Sequence, residues 1–351
     1  MPELSDRLEL SEDSKVFIFA PSNVVTGGQE CLHQLCDALN NRGIQSYMVY
    51  YPDPASPIPP VYLKYNLRRA VNVEDCGLNV VVLFEGEFDR LFDYKKVKYV
   101  LWWLSVDNFF MCSMRYLSLR DYFRFRKRLL GKAFLTKVFH LLVRKRNVIS
   151  KSMTLYDLRA SASAHLCQSK YVEVFLSNES FGNLLPLYDY INSEFNSEIE
   201  GKREDIVLYN PKKGYKLTKT FIRNWPEFNW VPIANMNYQQ IATLMRKSKL
   251  YVDFGDHPGR DKIPREAAMS GLCVITGKRG SAKYFEDVPI DDEYKFDESN
   301  LDLERLYHTI RDILDNYEVH RLRFVGYRDM VNNSRQLFLA QVDDFVVRVL
   351  K

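Results

Sequence analysis

A short basic stretch that contains two glycines carries the residue types that bind phosphate groups. It reads Gly277-Lys278-Arg279-Gly280-Ser281 and directly follows an apolar run, Leu272 to Thr276. The backbone N–H groups of a glycine loop can point at an anion, and neighbouring lysine and arginine side chains add positive charge. The stretch therefore predicts a site for a phosphorylated ligand.

The residues before this stretch predict the elements that position it. An apolar run from Leu250 to Phe254 indicates a buried strand, and a polar loop follows from Gly255 to Pro264. Residues Arg265 to Ser270 indicate the start of a helix that Gly271 ends, before the second strand. This order of strand, loop, helix, strand and loop is typical of the ligand-binding edge of an α/β sheet.

The beginning of the chain predicts a similar unit. Lys15 to Ala20 indicates a strand, Pro21 to Gly28 its loop, and Gln29 to Asn41 has apolar residues at helical spacing. A further apolar run, Tyr99 to Leu104, predicts a strand with Asp107 just beyond its carboxyl end, where open α/β sheets bind their ligands. With 351 residues, the chain is expected to form two such domains.

Composition indicates a globular protein, with 46% hydrophobic and 27% charged residues. The six cysteines form no C-x-x-C pair, which predicts a cytoplasmic protein without disulfides or a zinc site. Residues Met1 to Ser14 are acidic and polar, unlike a signal peptide, and no uncharged apolar run reaches the roughly 18 residues of a membrane span.

Positive charge is concentrated between Arg115 and Lys151, where twelve lysines and arginines accompany one acid, Asp121. Aromatic residues are interleaved with a cationic stripe at helical spacing, which favours a peripheral helix on an anionic membrane surface. The alternatives are an RNA- or protein-binding face and a solvated helical insertion, although no nucleic-acid recognition module accompanies the charge. The predicted membrane-association residues are Arg120, Arg124, Lys127, Arg128 and Lys132.

Several of these segments resemble the GT-B glycosyltransferases, in particular the retaining family 4 (glycosyl transferases group 1). A short strand and helix, His165 to Leu176, resembles the end of that family's first domain, and Leu185 to Phe195 resembles its linker. Tyr209 to Gly214 resembles the basic turn that opens the second domain. The most specific likeness is to the family's donor-site helix, here Arg265 to Ile275.

The resemblance implies an α/β protein with two Rossmann-like domains that face a central cleft, and a C-terminal helix that returns to the first domain. The expected boundaries are 1–185 for an acceptor domain with a basic aromatic insertion at 109–151, then a linker at 186–203. A nucleotide-sugar donor domain is expected at 204–332, followed by the returning helix at 333–351.

The resemblance also implies roles for individual residues. Glu266 would accept the ribose hydroxyls of the nucleotide, Lys212 or Lys213 would contact the diphosphate, and Asp107 would be a second catalytic residue beside Glu266. Arg260 and Lys262 are further candidates, or they pair with Asp261 instead; Asp107 alternatively caps a helix. The complete set of expected donor-binding residues is Gly27, Gly28, Lys212, Lys213, Arg260, Lys262, Glu266, Lys278, Gly280 and Ser281.

Two positions depart from the family pattern. The family has a second glutamate eight residues before Glu266, where this chain has Pro258; Asp256 and Asp261 are nearby candidates for its role, although neither matches the spacing. The family also has histidine before the residue that matches Asp107, where this chain has valine. No D-x-D triplet occurs, so we expect no metal and no other cofactor, with cationic side chains offsetting the charge of the leaving diphosphate.

The function predicted on this basis is glycosyl transfer, retaining and hexosyltransferase-like, from a nucleotide diphosphate sugar to a glycan or lipid-linked acceptor. The expected setting is surface-polysaccharide synthesis at the inner face of the cell membrane, without nucleic acid as a partner. One alternative is a sugar-nucleotide epimerase on the same fold. Another is a degenerate module that binds glycan or nucleotide without catalysis, which the missing glutamate favours.

Overall fold

The computed structural model describes residues 14–113, 116–124, 153–191, 195 and 202–350. The chain divides into two compact units: Met1–Tyr188 with Phe338–Lys351, and Asp189–Leu337. Each unit is built on its own parallel sheet with helices, which confirms the predicted α/β class. Among the described residues, no helix combines the length and apolar character that crossing a bilayer requires.

The first unit has six parallel strands in the order β2-β1-β3-β4-β5-β6. The strands are mostly buried apolar runs, as expected for a parallel sheet covered on both faces. In chain order its elements are β1 (Lys15–Pro21), α1 (Gly27–Asn40), β2 (Gln45–Tyr51), β3 (Val80–Phe84), β4 (Lys98–Trp103), α2 (Val106–Cys112), α3 (Leu119–Arg124), α4 (Leu155–Ser161), β5 (Ala162–Cys167), α5 (Lys170–Asn178) and β6 (Leu184–Pro186).

Helix α1 begins earlier than the sequence predicts. The side chain of Thr26 accepts a hydrogen bond from the Gln29 N–H and caps the helix, so Gly27 and Gly28 belong to its first turn and not to the preceding loop. A Cβ added to Gly28 would lie 3.5 Å from Leu104 Cδ1, an ordinary van der Waals contact. The glycine pair therefore forms the N-terminus of a helix that follows β1.

The second unit has five parallel strands in the order β11-β10-β9-β7-β8. Its last helix, α12, crosses the boundary into the part of the chain that belongs to the first unit. In chain order the elements are β7 (Glu204–Tyr209), α6 (Tyr215–Asn224), β8 (Asn229–Pro232), α7 (Tyr238–Lys247), β9 (Ser248–Asp253), α8 (Lys262–Met269), β10 (Cys273–Gly277), β11 (Lys295–Phe296), α9 (Leu303–Asp315), α10 (Tyr317–Arg323), α11 (Val325–Asn332) and α12 (Ser334–Phe345).

Four helices of the second half differ from the prediction. Helix α8 begins at Lys262 and includes Pro264, which the first turn tolerates because the N–H that proline lacks would have no partner within the helix there. The C-terminal α-helix is shorter than predicted, because α12 ends at Phe345 and a π-helical turn, Val346–Leu350, follows. Helices α10 and α11 were not predicted; they bury Tyr317, Tyr327 and Val331 in the core of the unit.

Candidate functional site

Three loops meet at one edge of the second sheet. Strands β7, β9 and β10 are parallel neighbours, so the segments that follow their carboxyl ends lie together. These segments are the turn 210–214, the loop 254–261 and the turn 278–281. The edge is where an open α/β sheet binds its ligand, and it contains most of the predicted donor-binding residues.

Two glycines allow the backbones of these loops to touch. Gly214 has a φ of 56°, and a Cβ there would lie 2.4 Å from the carbonyl oxygen of Phe254. Gly280 has a φ of 54°, and a Cβ there would lie 2.0 Å from the carbonyl oxygen of His257. Since both neighbours are backbone atoms, a larger residue at either position would force the loops apart.

Ser281 connects the turn after β10 to the loop after β9 through two hydrogen bonds. Its N–H donates to the carbonyl of His257 at 2.9 Å, and its hydroxyl donates to the carbonyl of Gly259 at 2.6 Å. The side chain is fully buried. The Ser281 amide was expected to face a phosphate or sugar, but it is engaged inside the protein, so Ser281 supports the loop.

Side chains of these loops and of the end of β9 form a partly buried charge network. The ammonium group of Lys213 contacts Oδ2 of Asp261, and Nδ1 of His257 lies 3.1 Å from the same oxygen. On its other side, Nε2 of His257 lies 3.7 Å from Oδ1 of Asp253. Asp253 is fixed in turn by the Tyr251 hydroxyl at 2.9 Å and the Gly255 N–H at 3.0 Å.

The charges in the network support one another. Burial by itself lowers the pKa of His257, but the carboxylates of Asp253 and Asp261 raise it above its ordinary value. Burial likewise opposes ionisation of Asp261, yet His257 and Lys213 lower the pKa of Asp261 below its ordinary value. Two carboxylates thus face two basic groups, with His257 and Asp253 buried and Lys213 and Asp261 partly exposed.

Aspartate and histidine are also residue types that bind metal ions, and one ligand atom from each of Asp253, His257 and Asp261 lies within 4.8 Å of the others. Here, however, the Lys213 ammonium group contacts Asp261, and both oxygens of Asp253 accept hydrogen bonds from the protein. Positive charge is therefore already supplied by side chains, which fits an internal charge network better than a metal centre.

The basic turn after β10 is held by acidic partners. Arg279 forms ion pairs with Asp256 at 3.2 Å and with Glu298 at 2.7 Å, and Lys278 pairs with Asp292 at 3.2 Å. Burial raises the pKa of Glu298 to about 7, although Arg279 partly opposes this shift. A Cβ at Gly277 would lie 2.2 Å from Glu298 Oε1, so this glycine makes room for the carboxyl group.

A buried arginine braces the start of helix α8. The Arg265 guanidinium donates to both carboxylate oxygens of Asp189, at 3.0 and 2.7 Å, and to the carbonyl of Arg260 at 2.7 Å. Its Nε donates to the carbonyl of Asp261 at 3.1 Å. Burial favours the neutral acid at Asp189, but the charge of Arg265 keeps the pKa of Asp189 below its ordinary value.

The remaining predicted residues of this unit lie in the same loops or on helix α8. Glu266 is buried on α8, next to Arg265, and Lys262 is the first residue of that helix. Arg260 is buried and lies 3.4 Å from the sulfur of Met330. Lys212 is exposed, and its N–H donates to the Asn210 side chain at 3.0 Å.

No protein-family model and no curated protein sequence matches this chain. Solved structures do match over nearly its whole length. Sucrose-phosphate synthase from Thermosynechococcus elongatus superposes with a TM-score of 0.56 at 11% identity, covering 95% of this chain and 98% of the other. The chain has the GT-B fold.

Two further GT-B structures superpose similarly. Anabaena HepE, solved in complex with UDP-glucose, gives a TM-score of 0.54 at 9% identity and covers 95% of this chain and 99% of its own. WaaG, a glycosyltransferase involved in lipopolysaccharide biosynthesis, gives 0.53 at 12% identity with coverages of 95% and 99%. The GT-B fold predicted from the order of elements is thus confirmed.

The first GT-B unit contains the other predicted residues. Asp107 lies in the first turn of α2 and accepts a hydrogen bond from the Tyr171 hydroxyl at 3.0 Å; the N-cap of this helix is Ser105. Gly27 and Gly28 begin α1, as described above. Of the predicted membrane-association residues, Arg120 and Arg124 lie on α3 and are exposed, and Arg124 pairs with Glu179 at 2.8 Å. Lys127, Arg128 and Lys132 lie outside the described residues.

Sequence reasoning did not predict the charge network: Asp253 was not assigned to a site, and, as a site residue, Asp261 was considered only as a candidate for the role of the missing glutamate. Asp253, His257 and Asp261 follow one another at intervals of four, and this spacing in a loop after a buried strand was an available signal. Glu298 and Asp189 gave no signal, because their partners Arg279 and Arg265 are distant in the sequence.

Proposed function

We propose that this GT-B chain is a glycosyltransferase that binds a nucleotide diphosphate sugar at the carboxyl edge of its second sheet and transfers the sugar to a glycan or lipid-linked acceptor. The observation that carries the proposal is the convergence at that edge of Lys213, the glycine-lined loops and helix α8 with Glu266. The UDP-glucose complex of the structurally similar HepE supports a nucleotide sugar as donor.

The roles of the residues follow from the charges that such a reaction develops. Departure of a nucleotide diphosphate leaves negative charge on its phosphates, and a fixed cation in a partly buried site stabilises that charge. Lys213 is half-buried in the turn after β7 and is suited to this role. Glu266, with two acceptor oxygens, would bind the ribose hydroxyls. We expect no requirement for a metal ion, because Lys213 and its basic neighbours supply the positive charge.

Binding of nucleotides tests the donor site directly. Thermal-shift and calorimetric titrations with UDP, GDP, CMP and ADP should show stabilisation by at least one of them. Glu266→Ala should abolish this shift, and Lys213→Met should reduce it. The exposed Glu304 and Lys216, changed in the same ways, provide matched controls that should leave binding intact. Absence of stabilisation by all four nucleotides would exclude the proposed donor site.

The residue at position 258 favours one second candidate, a module that binds a nucleotide sugar without transferring it. Pro258 takes the place of an acidic residue that the retaining family has, and its side chain offers no hydrogen-bonding group. The two functions differ in turnover. A transferase should release free nucleotide from its donor when an acceptor extract is added, and it should hydrolyse the donor slowly when no acceptor is present. Binding without any release under both conditions would favour the module.

We also propose peripheral association with the inner face of an anionic membrane, where surface polysaccharide is assembled. Support comes from the basic block at 115–151 and from the exposure of Arg120 and Arg124 on α3. Co-sedimentation with vesicles containing phosphatidylglycerol should decrease when Arg120, Arg124, Lys127, Arg128 and Lys132 are changed together to glutamine. Binding that is unchanged in this variant would contradict the proposal.

A further inference from the structure

His257 lies where a proton on its ring changes the charge balance around Lys213. Its Nδ1 is 3.1 Å from Oδ2 of Asp261, the same oxygen that the Lys213 ammonium group contacts. Its Nε2 faces Oδ1 of Asp253 at 3.7 Å. The ring is fully buried, and the backbone carbonyl of His257 accepts a hydrogen bond from the Ser281 N–H. Two basic groups therefore share a single carboxylate oxygen.

The groups around the ring come from four segments of the second unit. Asp253 ends β9, Asp261 occupies the N-cap position of α8, Lys213 belongs to the turn after β7, and Glu298, after β11, interacts with the ring only through its charge. Acidic groups outnumber the single lysine among them. Although burial opposes a charge on the ring, Asp253 and Asp261 raise the pKa of His257 above its ordinary value of 6.5.

The protonation state of the ring decides how tightly Asp261 holds Lys213. When the ring is protonated, Asp261 has a second cation beside it, and the departure of Lys213 does not leave its carboxylate unpaired. When the ring is neutral, Lys213 is the cation that balances Asp261, and its departure costs more because an unpaired charge in a partly buried position is unfavourable. A diphosphate that binds Lys213 must compete with Asp261 for it.

We propose that His257 is a positioning residue whose protonated ring releases Lys213 from Asp261 to the diphosphate of the donor. This inference rests on the proposed function, in which Lys213 binds that diphosphate. Two consequences follow: donor binding takes up a proton, and Asp261 competes with the donor instead of binding it.

Isothermal titration of the full chain with a nucleotide sugar tests both consequences. UDP-glucose, GDP-mannose and ADP-glucose are suitable probes, because a diphosphate esterified at both ends does not itself titrate near neutral pH. The affinity of the tightest of these should fall about five- to tenfold between about pH 6 and pH 9, the effect of one proton-linked charge in a partly buried site. Buffers of different ionisation enthalpy should reveal proton uptake. A flat profile without proton uptake would overturn the proposal.

Variants separate the histidine from its surroundings. His257→Asn keeps a neutral N–H near the position of Nδ1, so affinity should become independent of pH and match the weak binding of the wild type at high pH. His257→Gln serves as a second variant if the first does not fold. The matched control is His308→Asn on the exposed face of α9, which should preserve the pH dependence. A pH dependence retained in both folded His257 variants would refute the assignment.

Asp261 and Lys213 distinguish failure of this inference from failure of the proposed function. Asp261→Asn should bind donor at least as tightly as the wild type and without pH dependence; binding that is tenfold or more weaker at every pH would make Asp261 a ligand and overturn the inference. If Lys213→Met binds as well as the wild type, or no nucleotide sugar binds the wild type, the proposed function fails as well. Weak binding by Lys213→Met with a pH-independent wild type would overturn only the role of His257.

Discussion

The close approach of two loops at Gly280 makes Gly280→Ala the most direct test of the site geometry. The backbone at Gly280 has a φ of 54°, and the added methyl group would lie 2.0 Å from the carbonyl oxygen of His257. Neither atom can rotate away, because one is a Cβ and the other belongs to the backbone. The substitution should therefore separate the turn 278–281 from the loop that contains part of the charge network.

Three contributions set the expected loss of stability. The left-handed conformation costs about 1–2 kcal/mol for an alanine. Relief of the clash by backbone movement adds about 1–3 kcal/mol. Weakening of the hydrogen bond from the Ser281 N–H to the His257 carbonyl adds about 1 kcal/mol. Because these terms partly overlap, we expect about 3–5 kcal/mol, which would lower Tm by roughly 6–20 °C in a unit of this size.

Differential scanning calorimetry measures this change, since it can resolve separate transitions of a two-unit chain. Gly326→Ala is the matched control in the same unit: nothing lies within 4 Å of its Cβ position, and it occupies helix α11, where alanine should stabilise by about 0.5–1 kcal/mol. Nucleotide binding should be lost in the Gly280 variant and kept in the control. A Tm for Gly280→Ala within about 2 °C of the wild type would refute the close backbone contact on which the site geometry depends.

Two further substitutions test buried carboxyl groups. Burial raises the pKa of Glu85 to about 8, so the folded chain holds a proton that the unfolded chain releases near 4.5. Stability of the first unit should therefore fall as pH rises from about 5 to 8, and Glu85→Gln should remove this dependence and unfold at higher urea than the wild type at pH 8. Asp189→Asn leaves the buried Arg265 charge without its partner and should cost about 3 kcal/mol at pH 7. Because the pKa of Asp189 is lowered in the folded chain, the stabilisation that its ion pair provides should disappear as pH falls through the acidic range. The exposed Asp315→Asn serves as control. A Tm of Asp189→Asn at pH 7 equal to that of the wild type would contradict this pairing.

Much of the fold could be predicted because parallel strands that are buried on both faces appear in the sequence as continuous apolar runs. Val80–Phe84 and Leu250–Phe254 are such runs, and the structure has strands at both places. Helix boundaries were less predictable. Pro264 indicates a loop when read alone, but it stands in the first turn of α8, where a missing N–H carries no cost. Helices α10 and α11 were missed, although Tyr317, Phe324, Tyr327 and Val331 follow a helical spacing.

The candidate site was predictable only in its location. Glycines and basic residues after buried strands pointed to the edge of the second sheet where the three loops meet. The network itself could not be predicted, because it depends on which distant segments the sheet brings together. Lys213 contacts Asp261 because β7 and β9, the strands that precede them, are neighbours in the sheet. The same reason accounts for Ser281, whose N–H was expected to face a ligand and instead binds the carbonyl of His257.

The second unit is one continuous stretch of chain, from Asp189 to Leu337, whereas the first unit is encoded in two separate pieces. Recombination at two points in the gene could therefore replace the unit that contains the proposed donor site and leave the other unit unaltered. The downstream junction falls inside helix α12, so a chimera with another GT-B protein would have to preserve the helical phase there. If the second unit binds the donor as proposed, exchange of this segment would change the donor sugar while the first unit stays the same.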